Sequence, residues 1–190
     1  GVRGRRAGRA DKRPGGISGR PAGRRMLMRM KAQTQAGRAL VYLASGMVDR
    51  ATTDEAAKDR LEILTPLAKA HATDLGNEVA SLGVQVHGGM GFIEETGAAQ
   101  HFRDARIAAI YEGTNGIQAI DLVTRKLPLD GGKTIALYID ELRQIVKAVK
   151  ESNAPAFGET AARLGEAVDE FERDTQWLLA QKCSASGLAR

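Results

Sequence analysis

Apolar residues recur every three to four positions along most of this chain, a spacing that predicts helices. Met30, Gly37, Val41, Ala44 and Val48 share one helical face, with Lys31, Arg38 and Asp49 elsewhere, which predicts a first helix over about residues 25–50. Thr52, Thr53 and Asp54 then form a polar break with good N-cap chemistry. Leu64, Leu67, Ala68, His71, Leu75, Glu78, Val79 and Leu82 continue the period in a second helix, from Asp54 or Ala56 to Leu82. Pro66 inside it predicts a kink or a second start. The stretch Gln85-Val-His-Gly-Gly-Met-Gly91, with three glycines in four positions, is expected to end any helix. A short helix is predicted near 97–108, then a polar turn from Ile110 to Gly116, then a helix over about 116–126. Pro128, Asp130, Gly131 and Gly132 make a linker. Stripes of Tyr138, Leu142, Ile145 and Val149, and of Leu164, Val168, Phe171, Thr175 and Leu178, predict two antiparallel helices near 133–151 and 158–181, joined through Ser152–Phe157. No run alternates as a strand would, so the fold class is all-α.

Composition supports helix, since aromatic residues are only 4% of the 190 while the strong helix formers abound. Charge changes the picture more. The net +5 is uneven, because residues 1–25 hold nine of the 28 Lys and Arg against one acid, Asp11. The rest carries nineteen basic and twenty-two acidic residues, which argues against a nucleic-acid-binding body. Residues 1–24 are a basic, glycine-rich segment with few large apolar side chains, expected to be disordered. The end, 182–190, reads as a featureless tail. No apolar run is long enough for a membrane span, and the arginine-rich start has no signal-peptide core. The single cysteine, Cys183, excludes an internal disulfide framework and suits a reducing, cytoplasmic location.

Two loops hold the candidate chemistry. The glycines of 85–91 allow backbone N–H groups to face a phosphate, although a plain interhelix turn has the same composition. In Tyr111–Gly116, Glu112 stands next to a glycine in a chain-reversing turn. At the wall of a cleft such a carboxylate is a candidate general base, but spacing alone favours the plainer reading, a surface acid or cap near a helix start, stabilised by the helix dipole. His71, His87 and His101 do not pair at metal-ligand spacing and no cysteine joins them, so no metal site is expected.

Taken together, Gln85–Gly91, His-Phe-Arg-Asp-Ala-Arg at 101–106 and Ile-Tyr-Glu-Gly-Thr-Asn-Gly-Ile-Gln at 110–118 resemble the C-terminal domain of acyl-CoA dehydrogenases in residues, order and spacing. The resemblance covers about 25–127 and, more weakly, the hairpin at 133–181. It is similar to the branch with extra C-terminal helices, which includes broad-specificity bacterial enzymes and the methylthiopropanoyl-CoA dehydrogenase. It implies a four-helix-bundle-like domain followed by a helical hairpin. It also implies FAD as cofactor, an acyl-CoA substrate, an electron-transfer flavoprotein as electron acceptor and a homo-oligomer. Glu112 would be the base that takes the α-proton, its backbone N–H would donate to the thioester carbonyl, and the β-hydrogen would leave as hydride. Cofactor contacts would come from Gln85, Gly88 and Gly89, the glycine loop reaching the FAD of a neighbouring subunit, and from Thr114, Asn115 and Gly116. Many relatives carry Gln where Gly116 stands, so that contact is expected through backbone. The family's two upstream domains do not match this chain, so it is expected to be part of the enzyme and inactive alone. Two other readings remain: a non-catalytic helical module for self-association or partner binding, and nucleic-acid binding through residues 1–25.

Overall fold

The computed structural model describes residues 16–181. Expectations for residues 1–15, for 182–190 and for Cys183 lie outside them. Seven α-helices account for most of the described residues, and no strand occurs among them, as the periodicity predicts. The helix α1 spans Pro21–Arg50, α2 Glu55–His87, α3 Gly89–Phe92, α4 Ala98–Ala108, α5 Asn115–Asp121, α6 Lys133–Ser152 and α7 Thr160–Gln181. Short 3-10 turns occur at Ile17–Gly19, Glu94–Thr96, Leu129–Gly132 and Pro155–Phe157.

Three boundaries differ from the sequence expectations. Helix α1 begins at Pro21, inside the stretch set aside as a disordered segment. Proline suits a first helical position, where its missing N–H is not needed. Helix α2 runs through Pro66 without a second start and continues past Leu82 to His87, so Gln85, Val86 and His87 belong to its last turn. The break is Gly88 alone, at φ 63°, and the next residues coil again as α3. After α5 the chain widens into a π-helical stretch, Leu122–Lys126, in which the Leu127 N–H donates to the Leu122 carbonyl at 2.8 Å. The N-terminus of α2 is as its sequence promises: Asp54 caps it, its Oδ1 accepting from the Ala57 N–H at 3.2 Å.

The described residues form two compact units. In the first, 16–45 with 68–115, α1 and α2 run antiparallel. A Cβ on Gly37 would sit 3.6 Å from Leu75, and one on Gly83 3.9 Å from Met30. Gln33 Nε2 donates to Glu78 Oε2 at 2.7 Å, and Arg29 pairs with the same carboxylate. Arg103 grips Glu94 through two hydrogen bonds, 2.9 and 2.7 Å, bracing the turn before α4. In the second unit, 46–67 with 116–181, Ile63, Leu127, Ile135, Ile139 and Val168 form the core. The α6–α7 hairpin therefore does not bury itself alone; Ile63 and Leu127 complete its core from the preceding sequence. Arg143 on α6 ties it to α7 through Asp169, at 2.9 Å, and Glu172. No described helix is long and apolar enough to cross a membrane.

Candidate active site

The loop carrying Glu112 is built by how α4 stops. After Ala108 the Ile110 and Tyr111 N–H groups both donate to the Ile107 carbonyl, at 2.9 and 3.0 Å, tightening the helix end. The chain then turns through two left-handed residues, Glu112 at φ 52° and Gly113 at φ 86°. Gly113 adopts this freely; Glu112 does not, because its Cβ crowds the backbone, at a cost of about 1–2 kcal/mol. The loop closes where the Asn115 N–H donates back to the Ala109 carbonyl at 3.2 Å and α5 begins. Glu112 and Thr114 are exposed, with Asn115 half-buried between them and α2.

One turn of α2 fastens this loop. The Lys69 ammonium donates to the Gly113 carbonyl at 2.7 Å and to Asn115 Oδ1 at 3.0 Å. Asn115 Nδ2 donates to Asp74 Oδ1 at 2.7 Å, to Thr73 Oγ1 at 3.0 Å and to the Ala70 carbonyl at 3.2 Å. The Thr73 hydroxyl donates in turn to the Lys69 carbonyl at 2.8 Å. The Asn115 side chain is thus committed to α2, which leaves its backbone for any ligand. Lys69, Thr73 and Asp74 were not singled out by the sequence.

The second loop is more a hinge between helices than an open loop. Gln85 is exposed on the last turn of α2. The Gly88 N–H donates to the Gln85 carbonyl at 3.1 Å, and the Gly91 N–H to the Gly88 carbonyl at 2.9 Å. His87 Nδ1 donates to the Gly83 carbonyl at 2.8 Å, so its ring stays on its own helix. The three glycines differ in role. Gly91 is buried, and a Cβ there would come within 2.9 Å of the His87 Cβ and 3.0 Å of the Val84 carbonyl carbon. Gly88 and Gly89 border open space, with nothing within 4 Å of an added Cβ. The two loops lie well apart along α2, since Thr73 and His87 are roughly 20 Å distant at the helical rise.

His71 and His101 are exposed and stand apart from both loops' hydrogen bonds described above. No group of three or more metal-ligating side chains gathers among the described residues.

A family model described as the acyl-CoA dehydrogenase C-terminal domain matches residues 5–127, taking in most of the arginine-rich segment. The 3-methylmercaptopropionyl-CoA dehydrogenase of Ruegeria pomeroyi is 47% identical over 165 residues, covering 84% of this chain and 28% of that protein. A butyryl-CoA dehydrogenase of Syntrophomonas wolfei is 34% identical over 154 residues, 78% of this chain and 25% of that protein. The caffeyl-CoA reductase-Etf complex subunit CarC of Acetobacterium woodii is 35% identical over 95 residues, 49% of this chain and 23% of that protein. The chain spans about a quarter of the length of these curated relatives.

Proposed function

The chain belongs to the acyl-CoA dehydrogenase family, whose C-terminal domain it matches over residues 5–127, and from that premise we propose that it is the C-terminal part of an FAD-dependent enzyme that oxidises the α,β-bond of an acyl-CoA thioester to the trans-2-enoyl-CoA, with Glu112 as base. The observation that carries this is the Glu112 turn. Glu112 stands at φ 52° between two helices, a conformation that costs a non-glycine residue energy, and this supports a functional demand on the direction of its side chain. The resemblance supplies the reason for a direction: the α-proton of a thioester is weakly acidic, and its base must be aimed.

The residues present fit a flavin nucleotide. Gly88 and Gly89 border open space, so a ligand can approach their backbone closely, and Gln85 adds an exposed amide able to donate to phosphate or ribose oxygens. Thr114 and the backbone of Asn115 and Gly116 would hold it at the other loop. FAD, when bound, supplies the hydride acceptor for the β-hydrogen. Glu112 would remove the α-proton, and its backbone N–H would donate to the thioester carbonyl as charge develops there. Glu112 is exposed on this chain, so the water exclusion that raises a carboxylate's basicity would come from the substrate and the upstream parts of the enzyme. The distance between the two loops along α2 suits the expectation that they serve different flavins, one from a neighbouring subunit. An electron-transfer flavoprotein would take the electrons onward; one relative is named as a subunit of an Etf complex.

The test is to join this chain to the upstream segment of the Ruegeria pomeroyi relative and follow flavin absorbance with a series of acyl-CoAs. The joined enzyme is expected to be yellow and to bleach with substrate, Glu112→Gln is expected to stay yellow without bleaching, and this chain alone is expected to do neither. A joined, folded enzyme that binds no flavin, or a Glu112→Gln variant that bleaches normally, removes the proposal.

A specific observation also favours self-association. Met90, Phe92 and Ile93 stand exposed in one short segment, at 57%, 81% and 38%, and a cluster of apolar side chains is commonly covered in an assembly. Sedimentation of the chain at several concentrations reads this directly; a monomer at all of them excludes it.

A further inference from the structure

We infer that Lys69, acting with Asn115, is the positioning residue of the base: it holds the strained Glu112 turn in the conformation that aims the carboxylate. The inference rests on the reading of Glu112 as base. Lys69 lies outside the three motifs that carry the resemblance.

The argument begins with the two consecutive left-handed residues. A non-glycine residue in that conformation persists only where its surroundings over-determine it. On the loop side the Asn115 N–H donates back to the Ala109 carbonyl at 3.2 Å. The other restraints described for the turn come from α2. The Gly113 carbonyl belongs to the peptide unit immediately after Glu112 and Gly113, so its direction is set by the very torsions that are unusual. Lys69 donates to that oxygen at 2.7 Å, a short charge-assisted bond. Its second bond, 3.0 Å to Asn115 Oδ1, ties the other end of the same turn. Lys69 therefore spans the turn from both sides.

Asn115 completes the bracket with its amide nitrogen. It reaches three α2 acceptors, of which the Asp74 carboxylate at 2.7 Å is charged. The amide's orientation is fixed by this arrangement, since its oxygen must face the ammonium and its nitrogen the carboxylate and carbonyl. Aspartate at 115 would turn a donor toward Asp74 into a like charge. The anchoring residues lie on a helix more than thirty residues long, a rigid base for a loop that must hold one side chain's direction. A surface lysine would have no such use. Lys69 is half-buried, and both of its bonds go to the turn rather than to a carboxylate.

Two measurements test this. In this chain, Lys69→Met is expected to speed amide hydrogen exchange across residues 110–116 while leaving α6 and α7 unchanged. In the enzyme completed with the upstream segment of the Ruegeria pomeroyi relative, Lys69→Met should lower kcat about tenfold to a hundredfold, the scale of a misplaced reacting group. KM should stay within about twofold, because substrate binding itself is untouched. Lys69→Arg, which keeps a charged donor, should regain part of the loss. Lys58→Met, whose lysine pairs only with its own helix neighbourhood, serves as the control and should leave kcat unchanged. Normal kcat in Lys69→Met beside an inactive Glu112→Gln overturns this inference and leaves the base intact. Normal kcat in both overturns the base, and this inference with it. If in Lys69→Met the melting temperature and kcat fall while KM rises, and Arg restores none of them, the lysine is merely structural and the inference is wrong.

Discussion

The backbone of Glu112 can be tested without any catalysis, by comparing Glu112→Gly with Glu112→Ala in this chain. Both variants lose the carboxylate and whatever it touches, so their difference isolates the main chain. At φ 52° an alanine Cβ meets the following carbonyl, a cost of about 1–2 kcal/mol that glycine escapes. Glycine gives back about 0.4–1 kcal/mol through its more disordered unfolded chain. The balance leaves Glu112→Gly more stable than Glu112→Ala by about 0.5–1 kcal/mol, opposite in sign to the same pair in a helix interior. With a urea dependence of roughly 2 kcal/mol per molar, the unfolding midpoint should differ by about 0.3–0.5 M. Helical circular dichroism followed through a urea titration reads it. Equal midpoints, or a more stable alanine variant, would refute the left-handed turn and with it the idea that the loop stores strain. Restoring the glutamate to Glu112→Gly should then cost stability while giving activity to the completed enzyme, the trade expected of a site shaped for function.

Other substitutions follow from the geometry. Gly91→Ala forces a Cβ against the Val84 backbone and should destabilise by about 1–3 kcal/mol in a thermal melt, whereas Gly76→Ala, in open space within α2, should be neutral or gain up to about 1 kcal/mol. Ile135→Ala empties a position only 1% exposed between Ile63, Leu127, Ile139 and Val168, and should cost about 2–5 kcal/mol in denaturant unfolding; a loss below 1 would mean the core is not packed as described. Arg50, and then the Ala57 N–H, hold the Asp54 carboxyl below the usual aspartate range. A depressed folded-state value means its contribution is complete above roughly pH 4 and disappears as pH falls through that lowered value, so melting temperature between pH 5 and 2 should drop less steeply in Asp54→Asn than in the parent.

The helices themselves were legible wherever the apolar stripe was long. The α6 and α7 stripes placed both helices within two residues, and Thr52-Thr53-Asp54 announced the cap that Asp54 provides. The end of α2 was not legible, because a cluster of glycines reads as a broad break. In the structure one left-handed residue, Gly88, makes the break, while Gly91 is there for close approach and Gly89 coils. Pro66 does not divide α2 in two, because a single missing donor does not stop a helix of 33 residues. Of the candidate site, the turn and its acid were visible as a motif. Its holder was not. Lys69 lies 44 residues from Gly113, and a lysine on a helix looks like solvent-facing charge until the fold brings a carbonyl to it. Nor does a sequence show that Asn115 spends its side chain inward; the same asparagine would read equally as a ligand contact.

The wide turn at Leu122–Lys126 bears on how this lineage can change length. A π-helical turn is an α-helix holding one residue too many. The turn absorbs its extra residue locally, so deleting one of the five would close the ladder to ordinary α spacing and keep the chain on either side in phase. Leu127, 3% exposed in the core, would keep its place. Insertions and deletions are usually confined to loops, but here the last turn of a helix can take up or give up one residue while the core position of Leu127 is preserved.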